Sequence, residues 1–269
     1  MTELGRRAGV SDVVARVIER YRPGGSLAFA YGQGSVLSGI VADSDLDVVM
    51  IWADGVPTRS ARPARALATP GTDPVQHDGA FGGLDSFDVD GWPVDVAHHT
   101  QEQFRRWVAE VLDGAGWQRQ SEWPSPLFAV SGFAYGEILA DDAGLAREVR
   151  ARLEAFPARL HDTTRTHLDQ MRPAVLAELA GCVRRSDGWL FHELASDLVR
   201  TAYLAWFAAH CRYCPFPKRT AAWAQRFGLE PELIDVEQRI WSAAGLDERL
   251  ELIAAFSEGV LAVAAGDSA

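Results

Sequence analysis

The apolar positions along this chain change their period once. Up to about residue 156 they alternate or run in short blocks between turn-forming residues; beyond Pro157 they recur at helical spacing. Val13, Val14, Val17, Ile18 and Tyr21 follow Ser11 at that spacing, so SDVVARVIERY predicts an amphipathic helix with Ser11 as its N-cap. RPGG ends it. SLAFAYG then predicts a short apolar strand halted by GQGS, and LDVVMIWA predicts a β-branched neighbour in the same sheet. From Gly55 to Ser86 the chain is dense in Pro, Gly, Ala and Thr, which predicts a long surface connection with one short helix at ARPARALA. SFDVDGWPVDVAHHT alternates about DGWP and predicts a hairpin whose second strand is PVDVAHH. QEQFRRWVAEVL predicts a helix, and SGFAYGEILADDAGLAREVRARLEAF a short strand or turn leading into another.

After Pro157 five segments carry helical periodicity and none alternates like a strand. Strands first and helices afterwards predict an α+β fold: an N-terminal domain with a mixed β-sheet over residues 1–156, then an all-α domain over 157–269. Trp189, Phe191, Tyr203, Trp206 and Phe207 recur at helical intervals and are expected mostly in the core, with one or two of them a candidate floor for a pocket between the domains.

Composition narrows the function classes. With 269 residues, 48% of them hydrophobic, the chain has enough apolar material for a real core. A net charge of −11 removes the overall attraction that carries binding to nucleic acids and anionic membranes. Neither a signal-like apolar N-terminus nor a membrane-length apolar run is present, and three cysteines make a poor disulfide framework. A soluble, cytoplasmic protein is expected. The basic residues are arginines with a single exception, Lys218.

The chemistry concentrates at the start of the second predicted strand. Asp45 and Asp47 are two apart, so a strand projects both to one side, where like charges repel. A divalent cation would relieve that repulsion, and magnesium takes carboxylate oxygens while leaving positions for water and phosphate. Upstream, Gly34 and Ser35 form a turn whose backbone amides and hydroxyl suit an anion. Asp95, in WPVDVAHH, is an acid in an apolar strand where packing needs none.

Together, GSVLSGIVADSDLDVV and WPVDVAHHT resemble the nucleotidyltransferase superfamily that includes DNA polymerase beta, the aminoglycoside and lincosamide nucleotidyltransferases and the minimal nucleotidyltransferases. That family places a Gly–Ser turn ahead of an Asp-x-Asp strand, with a third acid on a later strand. The resemblance implies a nucleotidyltransferase domain in which Gly34 and Ser35 hold a triphosphate. It implies that Asp45 and Asp47 bind magnesium and that Asp95 completes a two-ion site beside the acceptor. The implied reaction moves a nucleoside monophosphate from a nucleoside triphosphate, with ATP the expected donor, to a hydroxyl of a small molecule, releasing pyrophosphate. Antibiotic inactivation is one version of it. A protein acceptor and a non-catalytic nucleotide sensor are the alternatives; nucleic-acid and membrane partners are not expected. Lys218, after a Pro-containing turn in CPFPKRT, is similar to a basic residue of such relatives and is a candidate for the triphosphate, with Arg219 behind it.

Weaker candidates complete the survey. His99 shares the face of Asp95, although a surface position is expected for the strand-end pair His98 and His99. Glu137 is a candidate general base against a solvated loop acid. His192, Glu193 and Asp197 share a helix and could favour a cationic acceptor, or simply form a solvated face. His210, Cys211 and Cys214 have the spacing of half a zinc site, but only Cys182 remains to complete it, and packing residues are expected.

Overall fold

A computed structural model of the chain describes residues 3–37, 39, 44–79, 82–119, 122 and 124–266, with the backbone alone for residues 3–8 and Ser35. The chain divides into two compact units: Met1–Ala109 with Gln120–Ala155, and Glu110–Arg119 with Phe156–Ala269.

The first unit holds one mixed six-stranded sheet in the order β3-β4-β5-β2-β1-β6. Its strands are β1 (Leu27–Gln33), β2 (Leu46–Trp52), β3 (Val75–Gly79), β4 (Gly82–Val89), β5 (Trp92–Thr100) and β6 (Glu137–Ala140). β2 and β5 run parallel; the other neighbouring pairs are antiparallel. Helices α1 (Glu3–Tyr21), α2 (Gly34–Leu37), α3 (Ala64–Leu67), α4 (Gln101–Leu112), α5 (Pro126–Tyr135) and α6 (Leu145–Glu154) are interleaved with the strands. The predicted hairpin is formed by β4 and β5, whose closing residues are Val89 and Trp92.

Side-chain alternation divides the core between the two faces of this sheet. On the back face Leu46, Val48, Met50 and Trp52 of β2 and Val94 and Val96 of β5 pack with Val13, Val14, Val17, Ile18 and Tyr21 of α1. On the front face Phe29 and Tyr31 of β1 meet Phe104 of α4 and Phe133 of α5, with ring centroids 5.1–6.1 Å apart across the strand-to-helix and helix-to-helix pairs. Tilted and edge-on contacts of this kind add to the stabilisation from buried area.

Three local expectations are corrected. α1 begins at Glu3, so Ser11 lies inside it and caps nothing. The stretch from Gly55 to Ser86 contains β3 and the start of β4. SGFAY belongs to α5, a helix buried on most sides. Trp189 is 75% exposed, while Phe191, Tyr203, Trp206 and Phe207 are buried as expected.

The second unit is built from α7 (Ala158–Arg185), α8 (Gly188–Ala209), α9 (Thr220–Phe227), α10 (Pro231–Ser242) and α11 (Leu246–Ala265). Asp187 caps α8 by accepting a hydrogen bond from the Leu190 amide at 3.2 Å. That helix buries an almost continuous run from Leu198 to Ala208, broken at Arg200. Two acids are drawn into the aromatic core by partners on it: the Tyr203 hydroxyl and Trp241 indole donate to Glu237, and the Trp206 indole donates to Glu230. No described helix is long and apolar enough to cross a membrane.

Candidate metal centre

β2 and β5 are register partners, and the pairing sets Asp47 directly beside Asp95. Both project from the front face, since their neighbours Leu46, Val48, Val94 and Val96 fill the back-face core. Asp45 stands just before β2 and joins them. Each of the three acids is half-buried, and one oxygen from each lies within 4.8 Å of the others. Among the described residues this is the group of His, Cys, Asp or Glu side chains able to hold a metal ion. Ser44 donates a hydrogen bond to Asp45.

The donor chemistry fits a hard divalent cation. Two oxygens on opposite sides of one magnesium ion span about 4.2 Å, and a pair of ions about 3.5–4 Å apart bridges more. Oxygens within 4.8 Å of one another are compatible with that span. Gly34 supplies a second sign of a shaped site. It ends β1 with φ +73°, and a Cβ placed there would sit 1.8 Å from Asp47 Oδ2. Only a residue without a side chain leaves room for that carboxylate, and glycine alone adopts this backbone cheaply. Ser35 belongs to α2 by its backbone, and its side chain lies outside the described residues.

The same register continues sideways. Gln33 pairs with Asp47 and Ser86 pairs with Asp95, so Ser86, Asp95, Asp47 and Gln33 form one lateral row over four adjacent strands.

The remaining candidates are dispersed. Glu137 is exposed and pairs with Gly32, on the face opposite Asp47. Lys218 and Arg219 are exposed in the second unit, ahead of α9. His192, Glu193 and Asp197 are all exposed on α8, with His192 3.3 Å from the Arg249 guanidinium. His210 pairs with Glu230 at 2.9 Å; Cys182 and Cys214 are buried and Cys211 is exposed. Burial pushes the Cys214 thiol well above its ordinary range.

The expectation of surface histidines fails at the end of β5, where His98 is fully buried and His99 nearly so. His99 packs edge-on against Trp107, ring centroids 4.9 Å apart. His98 lies on the back face in a polar network around Asp85, a residue the sequence reading passed over. Asp85 accepts from Tyr21 Oη at 2.6 Å and from Gln76 Nε2 at 3.1 Å, and Arg62 Nε is 3.4 Å away. His98 Nε2 is 3.3 Å from the same carboxylate, and the Trp52 indole donates to His98 Nδ1 at 3.2 Å. These two contacts suit a neutral imidazole protonated at Nε2. Burial lowers His98 below its ordinary value of 6.5, against the pull of Asp85. Burial alone would raise Asp85, but bonds from His98, Tyr21 and Gln76 hold it below its ordinary 3.8. Burial and the neighbouring Asp85 push the Tyr21 hydroxyl far up. The Asp85 carboxylate is thus satisfied by donors from the fold, and Arg62 is held through Nη2 by Asp78 at 2.7 Å, as befits a structural network.

No family model matches the chain, and no curated protein matches it. A solved nucleotidyltransferase-like protein from Exiguobacterium sibiricum aligns over 93% of this chain and 74% of its own, at 11% identity and a TM-score of 0.41. A likeness that distant carries no argument, and the chemistry of this chain rests on its own residues.

Proposed function

We propose that the chain is a metal-dependent nucleotidyltransferase of the superfamily that its sequence resembles. It moves a nucleoside monophosphate from a triphosphate, ATP being the expected donor, to a hydroxyl of a small molecule. The observation that supports this most is the convergence of Asp45, Asp47 and Asp95 beside Gly34. Three acids with oxygens this close, two on paired strands and the third just ahead of one of them, suit cation binding.

Bound magnesium would neutralise charge on the triphosphate and lower the pKa of the acceptor hydroxyl. Asp45 and Asp47 would hold the cation that meets the triphosphate, and Asp95 would complete the site beside the acceptor. Gly34 leaves the chain reversal open to a phosphate. Strand pairing of Asp47 with Asp95 holds the two halves of the site in line. The acceptor oxygen bonds to the α-phosphorus as the bond from that phosphorus to the pyrophosphate oxygen breaks, and the hydroxyl proton passes to water. Inactivation of an antibiotic that carries such a hydroxyl is one setting for the reaction.

The test is a thermal-shift titration with four triphosphates, with and without Mg2+, followed by mass spectrometry of hydroxyl-bearing small molecules and of proteins. Magnesium-dependent stabilisation that vanishes in Asp45→Asn and Asp47→Asn, with a nucleotidyl adduct on a small molecule, supports the proposal. An adduct found on protein alone changes the acceptor class. Asp95→Asn is expected to abolish transfer while keeping much of the magnesium–triphosphate binding. Wild-type protein with no magnesium-dependent triphosphate binding rejects the reading.

A further inference from the structure

The lateral row at the acidic site ends in a side chain that the reaction above does not use. Gln33 is the last residue of β1, half-buried, and pairs directly with Asp47. It shares the front face, because its strand neighbours Phe29 and Tyr31 point into the aromatic cluster of that face. Register partners in an antiparallel pair hold their Cβ atoms about 5 Å apart, so the Gln33 side chain starts beside that of Asp47 on the same face.

Its setting is made for it on the far side as well. A Cβ on Gly132 of α5 would fall 2.3 Å from Gln33 Oε1, so the glycine gives the carboxamide its place. Among the described residues that carboxamide makes no hydrogen bond. A neutral amide suits a place beside clustered acids: it adds no charge, yet offers N–H groups where an anion would be brought by a cation. Gly34, with its open backbone, is the next residue in the chain.

We propose that Gln33 is a further substrate-positioning residue, whose carboxamide donates a hydrogen bond to a phosphate oxygen of the bound triphosphate on the side of Asp47 remote from Asp95. The proposal rests on the nucleotidyl-transfer reading. A contact to phosphate is blind to the base, and a donor that touches phosphate rather than Asp47 leaves affinity for a metal alone unchanged.

Both properties are measurable in the full chain. Mn2+ alone is titrated by electron paramagnetic resonance, and Mg2+ with ATP, GTP, CTP or UTP by calorimetry, on wild type, Gln33→Leu, Gln33→Glu and Gly132→Ala. Loss of one charge-assisted hydrogen bond is expected to weaken triphosphate binding about tenfold in Gln33→Leu, equally for the four bases, with Mn2+ affinity unchanged. Gln33→Glu should tighten Mn2+ and weaken triphosphate further. Gly132→Ala should shift triphosphate binding in the same direction as Gln33→Leu by displacing the amide. Far-ultraviolet circular dichroism checks that each variant is folded, and Gln33→Asn supplies a milder second variant.

Wild-type triphosphate affinity in folded Gln33→Leu overturns the assignment and leaves the parent reading standing. An equal loss of Mn2+ affinity overturns it too, because Gln33 would then act through Asp47. A loss confined to one base refutes the phosphate contact. Absence of magnesium-dependent triphosphate binding in the wild type defeats the parent reading and the assignment together.

Discussion

Asp85 and Asp95 stand on adjacent strands, one position out of register, and project from opposite faces of the same sheet. On the back face Asp85 is fully buried among Tyr21, Gln76, Arg62 and His98. On the front face Asp95 is half-buried and its nearest notable company is two further acids. The first environment surrounds one carboxylate with donors, and the second brings three carboxylates together. Burial by itself therefore says little about function; the sign and number of the partners say more. A buried charge that finds its donors fixes a fold, whereas charges of one sign gathered at a strand end are costly unless they are used.

Exchanging carboxylate for amide on the front face should have the largest effect. Asp47→Asn is expected to lower magnesium-dependent transfer on the order of a thousandfold, with an unfolding midpoint equal to or above that of the wild type because a like charge has gone. A parallel assay of turnover and urea unfolding checks both halves. The back face should behave the other way. Asp85→Leu removes the acceptor shared by Tyr21, Gln76 and His98 and leaves Arg62 with Asp78 as its remaining carboxylate, and it is expected to cost about 3–5 kcal/mol of stability by urea unfolding, while Mn2+ affinity of the folded fraction stays as in the wild type. An intermediate result is expected at Gly34→Ala. The left-handed backbone would cost about 1–2 kcal/mol, and the new methyl must push Asp47 aside, so Mn2+ affinity should fall about tenfold.

The smallest effect is a slope. An unfolded chain protonates His98 below 6.5 while the folded one keeps it neutral, so stability is full above that value and declines as pH falls from it. Asp85, held below 3.8 in the fold, adds a second decline under that pH. His98→Gln should flatten the first decline and, by removing a bond that holds Asp85 down, shrink the second, as read from unfolding midpoints across pH 3–7.

What the sequence disclosed of this arrangement follows from where its signals were local. β2 is a continuous apolar run with two acids at its mouth, and Asp95 is an acid inside another; both are visible without knowing the pairing. β3 was hidden because it is mostly exposed and its residues, VQHDG, carry no apolar alternation. β4 buries every second position, but two of those are Gly83 and Asp85, so only its later half looks like a strand. α5 escaped for the opposite reason, being apolar on nearly all sides and therefore without helical period. The Asp85 network could not be read at all, because its members come from α1, the chain before α3, and four different strands. The signal that could have exposed it is the acid at an inward position of an otherwise alternating strand.

The parallel pairing of β2 with β5 has one more implication, for how the molecule is made. Acids far apart in the chain become neighbours only after a long crossover has closed, and a slip by a single position would turn one of them through to the oily side. Such non-local pairing is slow to establish. A cation that recognises the aligned strands would therefore act during maturation as a proofreader, holding chains whose strands have met in step and ignoring those that have not.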